Sequence, residues 1–179
     1  MTSYQSLPLP LRRVVRVIDT ISVWSGKLFC WLIIPMVLCL VYEVFARYLF
    51  DAPTVWAYDA TYMIYGSHFM LGAAFTSVRQ AHVRTDFLYQ NWPPRWQGIV
   101  DATLYACLYF PAIGLFTWAG YDFASVSWEQ REVGITGPWA PPLYPFKTVI
   151  PVTGAMLIMQ GVSEFIKSLY AAIKGEWPS

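Results

Sequence analysis

Charged side chains are scarce in this chain of 179 residues. Asp, Glu, Lys and Arg make up 13% of it, whereas a soluble domain carries about 25%. The 12 basic and 11 acidic residues leave a net charge of +1, which excludes a nucleic-acid-binding protein that relies on many phosphate-neutralising cations. The hydrophobic content of 56% in turn excludes an intrinsically disordered chain.

Residues that usually carry chemistry are scarce as well. The chain has 2 histidines and 3 cysteines, with neither a glycine-rich phosphate loop nor a nucleophile elbow. Only His68 falls within an apolar run, which argues against haem with paired axial histidines and against a clustered metal site. We therefore predict no catalytic residue, no cofactor, no metal and no enzymatic activity. A membrane enzyme or redox anchor, the contrasting class, would need bound haem or quinone.

Long stretches without any charge dominate the sequence. These uncharged runs cover residues 28–42, 60–78, 102–121 and 148–163. Spanning the hydrocarbon takes about 20 mostly apolar residues, and each run reaches that length with modest extension. We predict an all-α integral membrane protein, residues 1–179 forming a single membrane domain, with transmembrane helices near 27–50, 56–78, 98–121 and 147–171. A soluble bundle of unusually buried helices is the alternative, which the hydropathy disfavours.

The segment before the first predicted span is amphipathic. Over residues 9–25, one helical face carries Leu11, Val14, Val15, Ile18 and Ile21. Away from that face lie Arg12, Arg13, Arg16, Asp19 and Thr20. The pattern favours a cationic helix in the plane of the headgroups, with an unstructured basic tail as the alternative. The apolar run that follows is too long for a signal peptide, and no small-residue cleavage site follows it.

The distribution of basic residues predicts the orientation of the chain. One set of segments carries Arg12, Arg13, Arg16, Lys27, Arg79, Arg84, Arg95, Lys167 and Lys174, whereas the opposite loops carry only Arg131 and Lys147. Both termini and the loop at 79–97 are therefore expected in the cytoplasm. The proline-rich loop at 122–146 then faces outward, because its prolines and glycines exclude a regular lipid-facing helix.

Ionisable residues at membrane depth are costly and therefore informative. Glu43 and Arg47 are four residues apart with the acid first, which is the favourable order on a helix, and Asp59 follows a short turn. We predict that Arg47 bridges Glu43 and Asp59, as a structural staple or partner contact. A proton or cation site at Glu43 is the functional alternative. Two roles are likewise open for His68. It donates a hydrogen bond to a neighbouring helix, or it relays protons.

The cytoplasmic loop after the second span is dense in polar groups. It is either a solvated loop that sets orientation or a loop folded back on the membrane surface, with Asp86 pairing Arg79 or Arg84.

Two motifs in the chain resemble those of a known family. The first comprises Glu43, Arg47, Tyr48, Phe50, Pro53, Trp56 and Asp59, and the second comprises Arg79, His82, Val83 and Asp86. Together with the four-span layout, they resemble the small, DctQ-type membrane subunit of tripartite ATP-independent periplasmic (TRAP) transporters over residues 10–173.

The resemblance implies a bacterial inner-membrane protein that works with two others. A periplasmic (DctP-type) binding protein captures an organic anion, typically a carboxylate, and a large (DctM-type) permease subunit carries the substrate and sodium sites. The small subunit braces the large one, in contact with membrane lipid, and uptake is driven by an ion gradient. Many relatives carry Glu where this chain has Asp59, which keeps the charge. A self-contained small ion-coupled carrier or exporter, with Glu43 as its coupling carboxylate, is the alternative.

Overall fold

Every regular element in the described part of the chain is a helix. The computed structural model describes residues 6–79, 92–135 and 137–178. Within these ranges an isolated β-bridge pairs Val133 with Pro142, outside any named strand. The all-helical character predicted from the sequence is therefore confirmed.

Two helices form the N-terminal arm of the molecule. α1 (Leu9–Cys30) and α2 (Ile33–Leu49) are separated by two residues. Pro35 explains the break, because it has no N–H to donate and its ring would clash with the carbonyl of Trp31, four residues earlier. Main-chain amides at the break bond three residues back, at 3.1 to 3.2 Å. The boundary that the sequence predicted at 25–27 thus lies several residues later in the structure.

The inward face of α1 is partly polar. Val15 and Ile18 from the predicted apolar face are buried, but Asp19 and Ser22 are buried beside them, 7% and 0% exposed. Leu11, also from the predicted apolar face, is 40% exposed. The side of α1 that packs within the protein therefore differs from the apolar side that its sequence pattern suggests.

A proline also changes the bonding pattern within the continuous helical segment from residue 94 to residue 130. α3 (Ala57–Val78) is followed in the described residues by α4 (Pro94–Leu104), a π-helical turn (Tyr105–Tyr109) and α5 (Phe110–Gln130). Pro111 cannot donate to Cys107, so the α-helical bonding pattern is interrupted just before it. The wider π turn accommodates this interruption without ending the helix.

The connection between α5 and the next helix is shorter than the loop that the sequence predicted over residues 122–146. Residues 122–130 of the predicted loop 122–146 continue α5. The helix thus extends past its apolar section and includes the charged residues Asp122 and Glu129. α5 ends where Arg131 adopts a left-handed conformation with φ 48°. The next helix begins at Tyr144, which leaves residues 131–143 as the connection.

The last helix is the centre of the bundle. α6 (Tyr144–Lys174) contacts α1, α3, α4 and α5, whereas α2 packs mainly on α3. The approach of α4 to α6 is close enough to need glycine: a Cβ added to Gly98 would lie 2.6 Å from the carbonyl oxygen of Ser168. The final turn closes at Gly175, whose φ of 75° suits glycine.

Three helical segments are long and apolar enough to cross a membrane. They are Leu9–Leu49, Pro94–Gln130 and Tyr144–Lys174, and they contain the spans predicted near 27–50, 98–121 and 147–171. α3 occupies the place of the span predicted near 56–78. It has 22 residues with Asp59 as its one Asp, Glu, Lys or Arg, so it falls short on apolar character and not on length. The four-span arrangement and the separate interfacial helix at 9–25 stay predictions.

Candidate functional site

The turn between α2 and α3 is organised around one carboxylate. Arg47 donates to Oε1 of Glu43 through Nε at 2.9 Å and also through its second terminal nitrogen. Oε2 of Glu43 accepts from the backbone amide of Thr54 at 3.1 Å and from the Thr54 hydroxyl. The same hydroxyl oxygen accepts from the amide of Ala57 at 3.3 Å, in the first turn of α3. Glu43 therefore ties the end of α2 to the beginning of α3, with both carboxylate oxygens engaged.

Asp59 does not join this cluster. The prediction that Arg47 bridges Glu43 and Asp59 is wrong in its second half, because Asp59 is turned toward the connection between α5 and α6. A Cβ added to Gly137 would lie 3.1 Å from Oδ2 of Asp59. Among the residues that the structure describes, the ion pair of Arg47 is with Glu43. The side chain that sequence reasoning missed at this turn is Thr54, which follows Pro53 and takes the place expected for Asp59.

An aromatic contact supports the same turn. The ring of Trp56 stacks on that of Tyr42, with 5.7 Å between the ring centroids and an angle of 28° between the planes. Because Tyr42 lies next to Glu43 on α2, the stack and the Glu43 contacts connect the same two helices. The structure thus brings Glu43, Arg47 and Trp56 together.

His68 connects α3 to the end of α1. Its Nδ1 lies 2.9 Å from the carbonyl oxygen of Phe29, close to the break before α2. Since a carbonyl oxygen only accepts, Nδ1 is the protonated ring nitrogen here. His68 also lines a cavity of about 490 Å³ between α1 and α3, together with Gly26, Phe29, Cys30, Phe69, Gly72, Ala73, Phe75 and Thr76. The geometry matches a hydrogen bond between helices, the first of the two alternatives considered for this histidine.

The second sequence motif lies mostly outside the described residues. Arg79 follows α3, with its amide bonded to the carbonyl of Phe75 at 3.1 Å and its guanidinium 5.3 Å from the centre of the Phe75 ring. His82 and Asp86 lie outside the described ranges, so the proposed pairing of Asp86 with Arg79 or Arg84 stays a prediction.

The most extensive polar network in the described part of the molecule lies between α1 and α6. Asp19 accepts from three side chains of α6: Gln160 at 3.1 Å, Ser163 at 2.7 Å and Lys167 at 3.0 Å. Burial of a charged group in apolar surroundings costs several kcal/mol unless partners compensate it. The number of donors converging on Asp19 explains how a carboxylate is tolerated between two packed helices.

A second carboxylate extends this network along α6. Glu164 accepts from Lys167 at 2.9 Å and from Gln160 at 3.2 Å, while the oxygen of the Gln160 amide accepts from Ser22 at 2.8 Å. The side chains of Lys167 and Glu164 are only 10% and 7% exposed. Asp19, Ser22, Gln160, Ser163, Glu164 and Lys167 are called the α1–α6 network below.

Sequence reasoning missed this network, although part of its signal was visible. Lys167 was considered only as one of the basic residues that predict the orientation of the chain. Gln160, Ser163, Glu164 and Lys167 recur every three or four residues, which places them on one face of a helix. A polar face on an otherwise apolar helix is a sign that it packs against polar partners, but the spacing does not identify Asp19 as the partner.

A third polar contact joins the two ends of the connection between α5 and α6. Lys147 forms an ion pair with Glu132, and its ammonium lies 3.8 Å from the centre of the Phe123 ring. The hydrogen bond from Lys147 holds the pKa of Glu132 below its ordinary value. Trp128 donates to the hydroxyl of Thr148 at 2.8 Å beside these groups. These contacts fix the end of α5 to the beginning of α6.

The three polar sites share a chemical character. Each pairs a carboxylate with a cation, and neutral donors add to the carboxylate contacts at the α2–α3 turn and in the α1–α6 network. Over residues 6–79, 92–135 and 137–178, no group of three His, Cys, Asp or Glu side chains is placed to hold a metal ion.

Comparison with known proteins assigns this helical arrangement to a family. No curated protein sequence matches the chain. Residues 36–170 match the model of the family described as tripartite ATP-independent periplasmic transporters, DctQ component. This region covers well over half of the sequence, from the beginning of α2 nearly to the end of α6. The chain therefore belongs to the DctQ family of small TRAP transporter components.

Proposed function

We propose that this protein is an accessory subunit that braces the large permease subunit of a TRAP transporter in a bacterial inner membrane. The family match over residues 36–170 is the observation that carries the proposal. The described polar sites support it, because they connect helices of this chain to one another. A rigid small subunit of this kind offers a fixed surface against which a moving transport domain can work.

The transport reaction itself is assigned to the partners. In this proposal a DctP-type periplasmic protein delivers an organic anion such as a carboxylate. The DctM-type large subunit moves the anion inward, driven by the sodium gradient that the family resemblance implies. Membrane lipid surrounds the exposed apolar helices. The coupling ion and the chemical class of the substrate are properties of the partners in this scheme.

The proposed topology has four spans with both termini in the cytoplasm. α3 is the proposed span that is less apolar than the other three. Because its connection to α2 is short, the two helices run in opposite directions in this topology. α1, α2 and the two residues between them make a segment of 41 residues, which corresponds to about 60 Å of helix. The hydrocarbon core is about 30 Å thick, so much of α1 lies beyond it, in keeping with a cationic segment at the headgroups.

Purification and reconstitution test the proposal. A tagged chain is expected to co-purify with the large subunit from native membranes. In vesicles, substrate uptake is expected only when the large subunit and the binding protein accompany it. Uptake by the purified chain alone would contradict the proposal.

One substitution distinguishes the accessory subunit proposed here from the alternative, a carrier that uses Glu43 as its coupling carboxylate. Glu43→Gln in such a carrier abolishes transport while the complex stays assembled. Under the proposal, the same substitution weakens the α2–α3 turn, and any loss of transport follows the loss of assembled complex. A loss of transport without a loss of assembly would favour the carrier.

A further inference from the structure

The exposed side chains of α3 are all aromatic. They are Tyr58, Tyr62, Tyr65 and Phe69, which are 71%, 59%, 54% and 72% exposed. The other described side chains of α3 are buried or half-buried against the rest of the chain. These four residues, called the α3 aromatic stripe below, cover about 16 Å along the helix axis.

The spacing of the α3 aromatic stripe fits one neighbouring helix. Successive members are four, three and four residues apart, which is the pattern that interlocks with a single partner helix at a shallow crossing angle. Aromatic side chains are enriched in protein interfaces, where they contribute much of the binding energy. The pattern therefore points to a packed seam and not to general contact with lipid.

The hydroxyls of the stripe point to the same conclusion. Tyr65 lies seven residues below Tyr58, which is about 10 Å deeper along the helix. Among the residues that the structure describes, the hydroxyls of Tyr58, Tyr62 and Tyr65 have no hydrogen-bond partner. A hydroxyl that meets only lipid tails loses its hydrogen bonds with water and regains none. A protein helix with polar groups along its face supplies them.

No long window of α3 is as apolar as those of the other long helical segments, which agrees with a protein covering. α3 is long enough to cross the membrane but is missing from the helices that qualify by apolar character. Leu9–Leu49 and Pro94–Gln130 do qualify, although their most apolar windows are wholly unburied within this chain. Those helices suit lipid, whereas α3 suits a site enclosed between this chain and another protein.

The outer end of the stripe carries a negative charge. Tyr58, Tyr62 and Asp59 line a cavity of about 270 Å³ with Met63, Gly134, Pro141 and Leu143. The half-buried carboxylate of Asp59 makes no ion pair within the described residues. A carboxylate beside two tyrosine rings favours a cation, because a guanidinium or ammonium forms a charge-assisted hydrogen bond with the acid and stacks on aromatic faces.

We propose that the α3 aromatic stripe packs against one membrane helix of the large permease subunit, and that the Asp59 cavity receives a basic side chain from that subunit. This inference rests on the proposed function, because it names the surface through which the two subunits meet. The occupant is an intramembrane helix with polar groups along its face and an Arg or Lys at its outer end.

Site-specific photo-crosslinking in the assembled complex tests the packing. Benzoylphenylalanine replaces Tyr65 in one variant and Tyr121 in the matched control, since Tyr121 is a tyrosine of α5 with 69% exposure. We expect covalent capture of the large subunit at position 65 and at least tenfold less at position 121. Capture of lipid alone at 65, or equal capture at both positions, would overturn the packing.

Charge substitutions test the cavity. Asp59→Asn is expected to lower the amount of large subunit retained in high salt about tenfold, since it leaves a basic group of the partner unpaired. Asp59→Glu is expected to retain most of the complex. Asp51→Asn is the matched control, because Asp51 is exposed and its φ of 47° is one that Asn adopts readily. Equal retention in Asp59→Asn and Asp51→Asn would overturn the ion pair.

Two measurements separate the possible failures. Circular dichroism and gel filtration of each variant without the partner show whether the chain is folded, and a misfolded Asp59→Asn variant is replaced by Asp59→Ser. If the wild-type chain captures no large subunit, the proposed function is wrong. If the wild type captures it and the Asp59 variants do so equally well, the cavity inference alone is wrong. A sodium-dependent thermal shift that Asp59→Asn removes, with the complex intact, would assign the cavity to a small cation instead.

Discussion

Two of the polar clusters that join helices differ in how deeply the chain itself buries them. In the α1–α6 network the side chains of Lys167 and Asp19 are each 10% exposed. At the α2–α3 turn the side chain of Arg47 is 54% exposed and that of Glu43 is 15% exposed. Solvent screening makes exposed pairs contribute little, while breaking a buried pair leaves an uncompensated charge. The two clusters look alike in chemistry but should differ strongly in their effect on stability.

The largest effect is expected from the buried cation. Lys167→Met keeps much of the side-chain volume but leaves Asp19 and Glu164 without their shared ammonium, which costs about 3–5 kcal/mol for a buried pair. Thermal unfolding of the purified protein in detergent is the measurement. Lys174→Met, at the exposed end of the same helix, is the control. If Lys167→Met loses no more stability than Lys174→Met, the buried network does not contribute more to stability than the α2–α3 turn.

Gln160 sharpens the comparison within the buried network. Gln160→Leu removes hydrogen bonds to Asp19, Ser22 and Glu164, and leaving buried polar groups unsatisfied costs about 1–3 kcal/mol. We expect a smaller loss than for Lys167→Met, because the ion pairs remain. The double variant should lose less than the sum of the two single losses, since both act on the same carboxylates. Strict additivity would mean that the two side chains act independently.

The α2–α3 turn is expected to show a smaller effect with a particular order. Glu43→Ala should destabilise more than Arg47→Ala, because Glu43 also accepts from the amide and hydroxyl of Thr54. Exchanging Glu43 and Arg47 restores an ion pair but not the Thr54 contacts, so it should rescue assembly only in part. Yield of the complex with the large subunit and thermal unfolding are the readouts. Full rescue by the exchange would show that the Thr54 contacts are unimportant.

The smallest effect is expected at the connection between α5 and α6, and it depends on pH. Because the Lys147 hydrogen bond lowers the pKa of Glu132 in the folded state below 4.5, the contact stabilises the protein fully above that ordinary value. The stability is lost as the pH falls through the lowered pKa. The difference in unfolding temperature between wild type and Glu132→Gln should therefore shrink on acidification. Glu129→Gln, which alters an exposed acid on the preceding helix, should show no such trend.

The sequence predicted the helical class and the approximate places of the apolar helices because both depend on local composition. Asp59 illustrates what it could not supply. Its distance in sequence from Glu43 and Arg47 allowed a three-charge staple, but Thr54 lies nearer and carries both an amide and a hydroxyl donor for Glu43. Which polar group completes a turn depends on backbone directions that spacing alone does not define.

The breaks at prolines were within reach of sequence reasoning, whereas the α1–α6 network was not. Pro35 and Pro111 each interrupt helical bonding four residues upstream, a rule that requires no tertiary information. The network depends on Asp19 meeting Lys167, and these residues are 148 positions apart. Helical periodicity predicts that each lies on a particular face but not which other helix that face will contact.

The central position of α6 has a consequence for biosynthesis. The helix that contacts four others follows all of them in the sequence, and the donors that surround Asp19 are synthesised 141 to 148 residues after it. At roughly 5–20 residues per second, the N-terminal helices wait about 7–30 s in the translocation machinery or the bilayer before the bundle can close. A ribosome that stalls or terminates before residue 160 would release a chain whose earlier helices lack the donors that join α1 to α6.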